Sequence, residues 1–171
     1  MTNELVDSNI RFLAQGVQLL HRVSPADYVR RGEFGLSPAG GHIRHVLDHY
    51  ACFLTGLTSG TIDYDARTRA ADVEQHPTRA IEIANDIMAQ LDELGAIDVD
   101  RVLRVRMNCG SAHIEPRGST AGRELQFLVS HTVHHYALVR AVLAEGGLTI
   151  GAHFGVAPST LQHESDSACA R

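Results

Sequence analysis

The stretch that decides the fold runs from residue 119 to residue 146 and reads STAGRELQFLVSHTVHHYALVRAVLAEG. Ser119 and Thr120 are good helix caps, and the Gly-Gly pair that begins at Gly146 is a stop signal. Between these signals the apolar residues recur at helical spacing, namely Leu125, Leu128, Val129, Val133, Val139, Val142 and Leu143. The stretch therefore predicts one long amphipathic helix, the last of four.

Two histidines lie on one face of this last helix. At about 100° per residue, His131 and His135 lie about 40° apart, and Glu124 falls within about 20° of His131. Imidazoles at positions i and i+4 have Cβ atoms about 5–6 Å apart, so both can bind one metal ion. His134 points about 60° to the side. The pattern predicts that His131 and His135 are metal ligands, although such a pair also arises by chance.

A second histidine cluster lies in the predicted helix over residues 38–59. His42, His45 and His49 follow each other at intervals of three and four residues and form one stripe. Helical phase brings His42 and His49 closest together, about 20° apart, and places His45 about 60° to the side. Two clusters on separate core helices predict a shared metal site, because unpaired buried imidazoles would carry a large desolvation cost. Phase leaves open which of these three histidines binds the metal.

Two further amphipathic helices are predicted over residues 3–22 and 76–94. The connection at 61–69 is polar, and residues 101–108 alternate between apolar and polar types, which predicts a short extended excursion. We therefore predict an all-α four-helix bundle with long connections and this excursion between helices three and four. Residues 1–163 are predicted to form a single domain, and residues 164–171 a disordered tail.

Composition excludes several classes of protein. The chain of 171 residues has a net charge of −5 and only scattered basic residues, which argues against nucleic-acid binding. No apolar run is long enough to cross a membrane, and the acidic N-terminus is unlike a secretory signal. The three cysteines are far apart and odd in number, so a disulfide framework is not indicated. We expect a cytoplasmic protein.

Three other residues are candidates for the site. Glu124 could be a ligand, a partner of a ligand or a general base, and a plain helix-start glutamate is the alternative. Arg67 and Arg69 could hold the carboxylate of a substrate or the anionic part of a thiol cofactor by bidentate hydrogen bonds. The alternative for this segment is a loop that is held by its own Asp–Arg pairs.

The sequence resembles a known family at several motifs. These are PAGGHIRHVLDHY at 38–50, IDYDARTR at 62–69, RELQF at 123–127, the pair His131 and His135, and FGVAPST at 154–160. Together they resemble the DinB-like superfamily of metal-binding four-helix bundles, over about residues 5–162. The resemblance implies that the ligands are His45, His131 and His135. His42 and His49 exceed this pattern, and we expect them near the open coordination position as catalytic groups.

The functional prediction follows from this metal site. Members of the superfamily include thiol-dependent transferases and isomerases, metal hydrolases and the iron-binding domain of sulfoxide synthases. We therefore expect a metal-dependent enzyme that acts on a small molecule, as a hydrolase or a thiol S-transferase. Zinc or nickel is favoured, and iron is an alternative. A low-molecular-weight thiol is a candidate partner, and a homodimer is left open. The rival is a non-catalytic bundle in which the metal is structural or adventitious.

Overall fold

The computed structural model describes residues 3–110 and 115–169, and most of these residues are helical. In the described part of the chain, helices α1 to α7 run over Glu4–Leu20, Pro25–Val29, Ala39–Ser59, Ala71–Gln75, Pro77–Glu93, Ala121–Glu145 and Pro158–Cys169. A 3₁₀ turn covers Glu33–Gly35. Within the same residues, no helix combines the length and the apolar character that crossing a membrane requires.

The four long helices begin and end close to where the sequence predicts. Helix α1 starts after Asn3, whose side-chain oxygen accepts a hydrogen bond from the backbone N–H of Leu5. Helix α6 starts after Thr120, whose hydroxyl accepts from the N–H of Arg123. Helix α3 ends at Gly60, which adopts a positive φ of 78°. These local signals are readable in the sequence because a cap depends on neighbouring residues alone.

Each long helix packs against two others. Helices α1 and α3 both contact α5 and α6, so the apolar stripes of all four helices meet in one core. The core includes large side chains that are fully enclosed, namely Tyr28, Tyr50, Phe53, Leu13, Leu91, Leu125 and Leu128. This packing places the histidine-bearing faces of α3 and α6 against each other.

A small sheet stands beside the helices. Strands β1, β2 and β3 are Thr61–Asp63, Val102–Arg106 and Arg117–Thr120. They lie in the order β1-β2-β3, with β1 parallel to β2 and β2 antiparallel to β3. The predicted excursion at 101–108 is confirmed as β2, and the mostly helical class is confirmed, whereas strands β1 and β3 were not predicted. Strand β1 was missed because its three residues pair with a segment about forty residues away in the chain.

A C-terminal helix covers most of the segment for which the sequence predicts a disordered tail. The sequence predicts disorder from residue 164, whereas helix α7 continues to Cys169, and residues 170 and 171 lie outside the described residues. Within this helix, the side-chain amide of Gln162 donates to Asp166 at 2.8 Å, and the Ser165 hydroxyl donates to the carbonyl oxygen of Gln162. The helix was missed because its surface is polar and shows no apolar stripe.

A buried polar network joins three of the long helices. The Tyr50 hydroxyl on α3 donates to Asn9 on α1 at 2.8 Å, and the Thr132 hydroxyl on α6 donates to Tyr50 at 3.2 Å. The amide of Asn9 in turn donates to the backbone carbonyl oxygens of Leu5 and Leu125. Because every buried polar group here has a partner, the network sets the positions of α3 and α6 next to the histidines.

Candidate metal centre

Helix α3 presents its three histidines to α6. His42 and His45 are half-buried, whereas His49 is buried with 4% of its surface exposed. On α6, His131 and His135 are half-buried as well, and His134 is exposed. The structure therefore places both predicted clusters in one contact region between two helices.

Three imidazoles lie within reach of a single ion. The ring centroid of His45 is 4.9 Å from that of His131 and 4.5 Å from that of His135. The rings of His131 and His135 are also 4.5 Å apart. One ring nitrogen from each of these three residues lies within 4.8 Å of the other two. These are the three residues that the resemblance implies, and the structure brings them together.

The three imidazoles are neutral at physiological pH. Burial lowers the pKa of His45 to about 3, that of His131 to about 2 and that of His135 to about 4. Repulsion between neighbouring imidazoles lowers these pKa values further. The neutral imidazole carries the lone pair that a metal ion requires. The rings of the cluster therefore keep their lone pairs available to a metal ion at neutral pH.

The hydrogen bonds test whether the residues present fit a metal ion. Two nitrogen–nitrogen contacts of 3.1 Å join imidazoles, one between the Nε2 atoms of His45 and His131 and one between the Nδ1 atoms of His42 and His135. In the described structure, Nδ1 of His131 and Nε2 of His42 are buried without a hydrogen-bond partner. A buried ring nitrogen without a hydrogen-bond partner carries a cost in free energy, because it has lost its contact with water. Three imidazoles form a donor set that binds zinc, nickel or iron(II). The residues fit a divalent ion.

The other histidines of the cluster differ in their surroundings. His49 hydrogen-bonds through Nδ1 to the carbonyl oxygen of His45 at 2.8 Å, and its ring lies 4.0 Å from that of His131. His42 contacts His135 through the nitrogen pair described above. The ring of His134 meets that of His135 edge-on at 5.1 Å. His42 and His49 thus lie beside the three candidate ligands, and their catalytic roles stay predictions.

Glu124 reaches the cluster indirectly. Its carboxylate, with 6% of the residue exposed, accepts a hydrogen bond from the Tyr64 hydroxyl at 2.8 Å and one from the Ser119 hydroxyl at 2.5 Å. The Tyr64 ring stacks on that of His49 at 5.1 Å and 22°. Burial raises the pKa of Tyr64, so this hydroxyl keeps its proton and donates. Tyr64 lies at the site, although the sequence around it predicts only a polar connection.

The two arginines of the 62–69 segment lie in different surroundings. The Nη1 of Arg67 lies 3.2 Å from Nδ1 of His45, so this guanidinium is at the site. Arg69 is exposed and has a positive φ of 53°. The alternative of internal Asp–Arg pairs does not match the contacts, since Asp63 pairs with Arg106 on β2 at 3.5 Å. The structure therefore places Arg67, and not Arg69, against a candidate ligand.

A cavity of about 690 Å³ opens beside the cluster. Phe127, Glu124 and Arg123 line it on the side of α6, and Arg117 lines it at the edge of the sheet. The ring of Phe127 lies 5.5 Å from that of His131, so one aromatic side chain separates the cavity from the histidines. Phe127 was also missed as a site residue, because an apolar residue on an amphipathic helix indicates core packing by default.

Fold and site together define a mostly helical protein with a histidine cluster between two long helices. Among solved structures, the chain is similar to a DinB-like protein, YjoA, from Bacillus subtilis, with a TM-score of 0.62 and 19% sequence identity. The likeness covers 86% of this chain and 94% of that chain. The protein therefore has the DinB-like fold, which confirms the fold that the sequence motifs implied. No protein-family model matches the chain.

A curated protein matches a part of the sequence. The chain is 36% identical over 104 residues to FK506-binding protein 5 of Rhizopus delemar, which covers 60% of this chain and 27% of the relative. The chain thus spans about a quarter of the length of that relative. The name describes the whole of the longer protein and carries no activity to this one.

Proposed function

We propose that the protein is a metal-dependent enzyme that acts on a small molecule, as a hydrolase or a thiol S-transferase. In this proposal, His45, His131 and His135 hold one divalent ion inside a four-helix bundle. The observation that carries it is the group of three neutral imidazoles whose ring nitrogens lie within 4.8 Å of one another. Zinc or nickel is favoured by the imidazole donors, and iron(II) is the alternative.

The openness of the site supports catalysis. Three protein ligands leave at least one coordination position free, which is typical of catalytic rather than structural sites. The three rings are half-buried rather than enclosed, and the cavity of about 690 Å³ lies behind Phe127. A small molecule that binds in this cavity would lie one aromatic side chain away from the histidines.

The surrounding side chains have roles that follow from their contacts. When bound, a divalent ion supplies Lewis acidity, which polarises a carbonyl group or lowers the pKa of a water molecule or thiol. His49 holds its proton at Nδ1 against the carbonyl oxygen of His45, so its Nε2 is available to accept a proton. Arg67 is the candidate for binding an anionic group of the substrate, and Glu124 supports His49 through Tyr64.

A non-catalytic role is the second candidate. One ligand on α3 and two on α6 would link helices that are about ninety residues apart in sequence. A structural metal ion stabilises a fold through such a link. This role predicts metal binding and added stability without turnover. A small thiol as partner, a homodimer and a cytoplasmic location are further proposals that both candidates allow.

The test is the metal content of protein made without a histidine tag. Elemental analysis of the wild-type protein should find about one divalent ion per chain. His131→Ala and His135→Ala should each lower the metal affinity by at least about tenfold, as expected for the loss of a ligand. His134→Ala is the matched control on the same helix and should retain metal. An equal loss of metal affinity in all three variants would show that His131 and His135 are not the specific ligands.

Activity separates the two candidates. The metal-loaded and chelator-treated proteins should be compared in hydrolysis of small esters and amides, and in transfer of small thiols to electrophiles. Turnover that depends on metal and is lost in His49→Ala supports the enzyme. Full metal occupancy without turnover in either class of reaction supports the structural role.

A further inference from the structure

Arg67 determines where His45 carries its proton. A guanidinium group has N–H donors and no acceptor, so the 3.2 Å contact requires a lone pair on Nδ1 of His45. An imidazole that accepts a hydrogen bond at Nδ1 is not the doubly protonated cation, so the ring of His45 is neutral and holds one proton. That proton is therefore on Nε2. The Nε of Arg67 is buried and has no hydrogen-bond partner in the described structure.

The next contact in the cluster agrees with this direction. Nε2 of His45 lies 3.1 Å from Nε2 of His131, and one of the two nitrogens must donate. Since the proton of His45 is on Nε2, His45 donates and His131 accepts. The proton of neutral His131 is then on Nδ1, the buried atom that has no partner in the described residues. The three side chains form a chain of donors that runs from Arg67 through His45 to His131.

This arrangement uses both nitrogens of His45. Ligation through Nδ1 needs the lone pair that Arg67 occupies. Ligation through Nε2 needs the proton to leave Nε2 and a proton to be taken up at Nδ1, which leaves the ring neutral and removes the acceptor that Arg67 uses. Either route breaks the hydrogen bond of Arg67, and the guanidinium charge opposes a nearby dication.

We propose that Arg67 competes with the metal ion for His45 and thereby weakens metal binding at this centre. This inference rests on the proposed three-histidine site and identifies Arg67 as a residue that lowers its metal affinity. His49 differs from His45 in this respect. The Nδ1 of His49 donates its proton to a carbonyl oxygen, and this contact leaves the lone pair on Nε2 available. Loading the centre thus includes the release of Arg67 from His45.

The experiment has one arm without metal and one with zinc alone. In metal-free wild-type protein, ¹⁵N shifts of the histidine side chains should show His45 protonated at Nε2. Zinc affinity should then be measured by competition with a chromophoric chelator. Arg67→Met keeps the length of the side chain and should bind zinc at least about tenfold more tightly, whereas Arg69→Met, in the same segment, should equal the wild-type protein. Circular dichroism checks that both variants fold.

The outcomes distinguish this inference from the proposed function. A metal-free His45 protonated at Nδ1 overturns the inference, whatever the metal data show. Wild-type protein that binds zinc, together with Arg67→Met that binds it equally or more weakly, also overturns the inference and leaves the three-histidine site in place. If neither protein binds zinc, the proposed metal site is wrong and the inference falls with it.

Discussion

The three histidines on α3 share a stripe, yet each meets a different partner. His42 contacts His135, His45 lies between Arg67 and His131, and His49 turns its Nδ1 back to its own helix. Helical phase alone favours the pair of His42 and His49. The structure instead groups His45 with the two α6 histidines, because the position of α6 across the helix pair decides which ring is nearest.

Single substitutions on α3 test the choice between these histidines. His45→Ala should lower metal affinity by at least about tenfold, since it removes a ligand. His49→Ala should retain metal within about twofold and should lose activity once a substrate is known. Metal content is measured by elemental analysis after gel filtration, with folding checked by circular dichroism. If His45→Ala keeps full occupancy and His49→Ala does not, the ligand lies one turn further along the helix.

At the scale of elements, the first turn of α3 is a packing surface. Helix α4 lies so close that a Cβ on Gly40 would overlap the backbone carbonyl oxygen of Glu74, and the ring of Tyr28 is near the same point. The side chain of Glu74 also pairs with Arg44 at 2.8 Å, which holds α4 against α3. Next in sequence, Gly41 is different, since a Cβ there would have Ser37 at an ordinary 3.6 Å.

This pair of glycines gives a matched stability test. Gly40→Ala should lower the free energy of unfolding by about 1–3 kcal/mol, because α4 must move to admit the methyl group. Gly41→Ala should leave it unchanged or raise it by up to about 1 kcal/mol, because alanine favours the helix. Urea unfolding followed by circular dichroism measures both. Equal destabilisation by both variants would show that α4 does not approach α3 at Gly40.

At the scale of the whole molecule, the cluster links folding to pH. In the unfolded chain an imidazole has a pKa of about 6.5, whereas in the folded protein burial lowers the pKa of His131 to about 2 and that of His135 to about 4. Between these values the unfolded chain binds more protons than the folded protein. Stability from these groups is therefore complete above about pH 6.5 and decreases as the pH falls.

The metal-free protein should show this loss directly. In the presence of a chelator, the free energy of unfolding should fall from pH 6.5 to pH 5 by more than about 1.4 kcal/mol per pH unit, the slope of one proton. The measurement is urea unfolding at several pH values. His131→Gln should reduce the slope, and His153→Gln, which replaces an exposed histidine, should leave it unchanged. A flat profile in the wild-type protein would contradict the burial of neutral imidazoles.

The sequence by itself determined the long helices and the candidate ligands. Caps such as Asn3 and Thr120 and apolar repeats act within a few residues, so they can be read from the chain alone. The pair of His131 and His135 was predicted for the same reason, because one helix places both on one face. The resemblance of its motifs to the DinB-like superfamily implied the same fold, which the likeness to YjoA confirms.

Only the tertiary structure decided the contacts between distant segments. Strand β1 exists because it pairs with β2, and neither strand contains a signal for the other. The same is true of the links from Tyr64 to Glu124 and from Arg67 to His45, which join residues 60 and 22 positions apart. Local sequence determines which face a side chain occupies, whereas the packing of helices decides which face it meets. That packing is why one guanidinium and one tyrosine of a polar loop belong to the site.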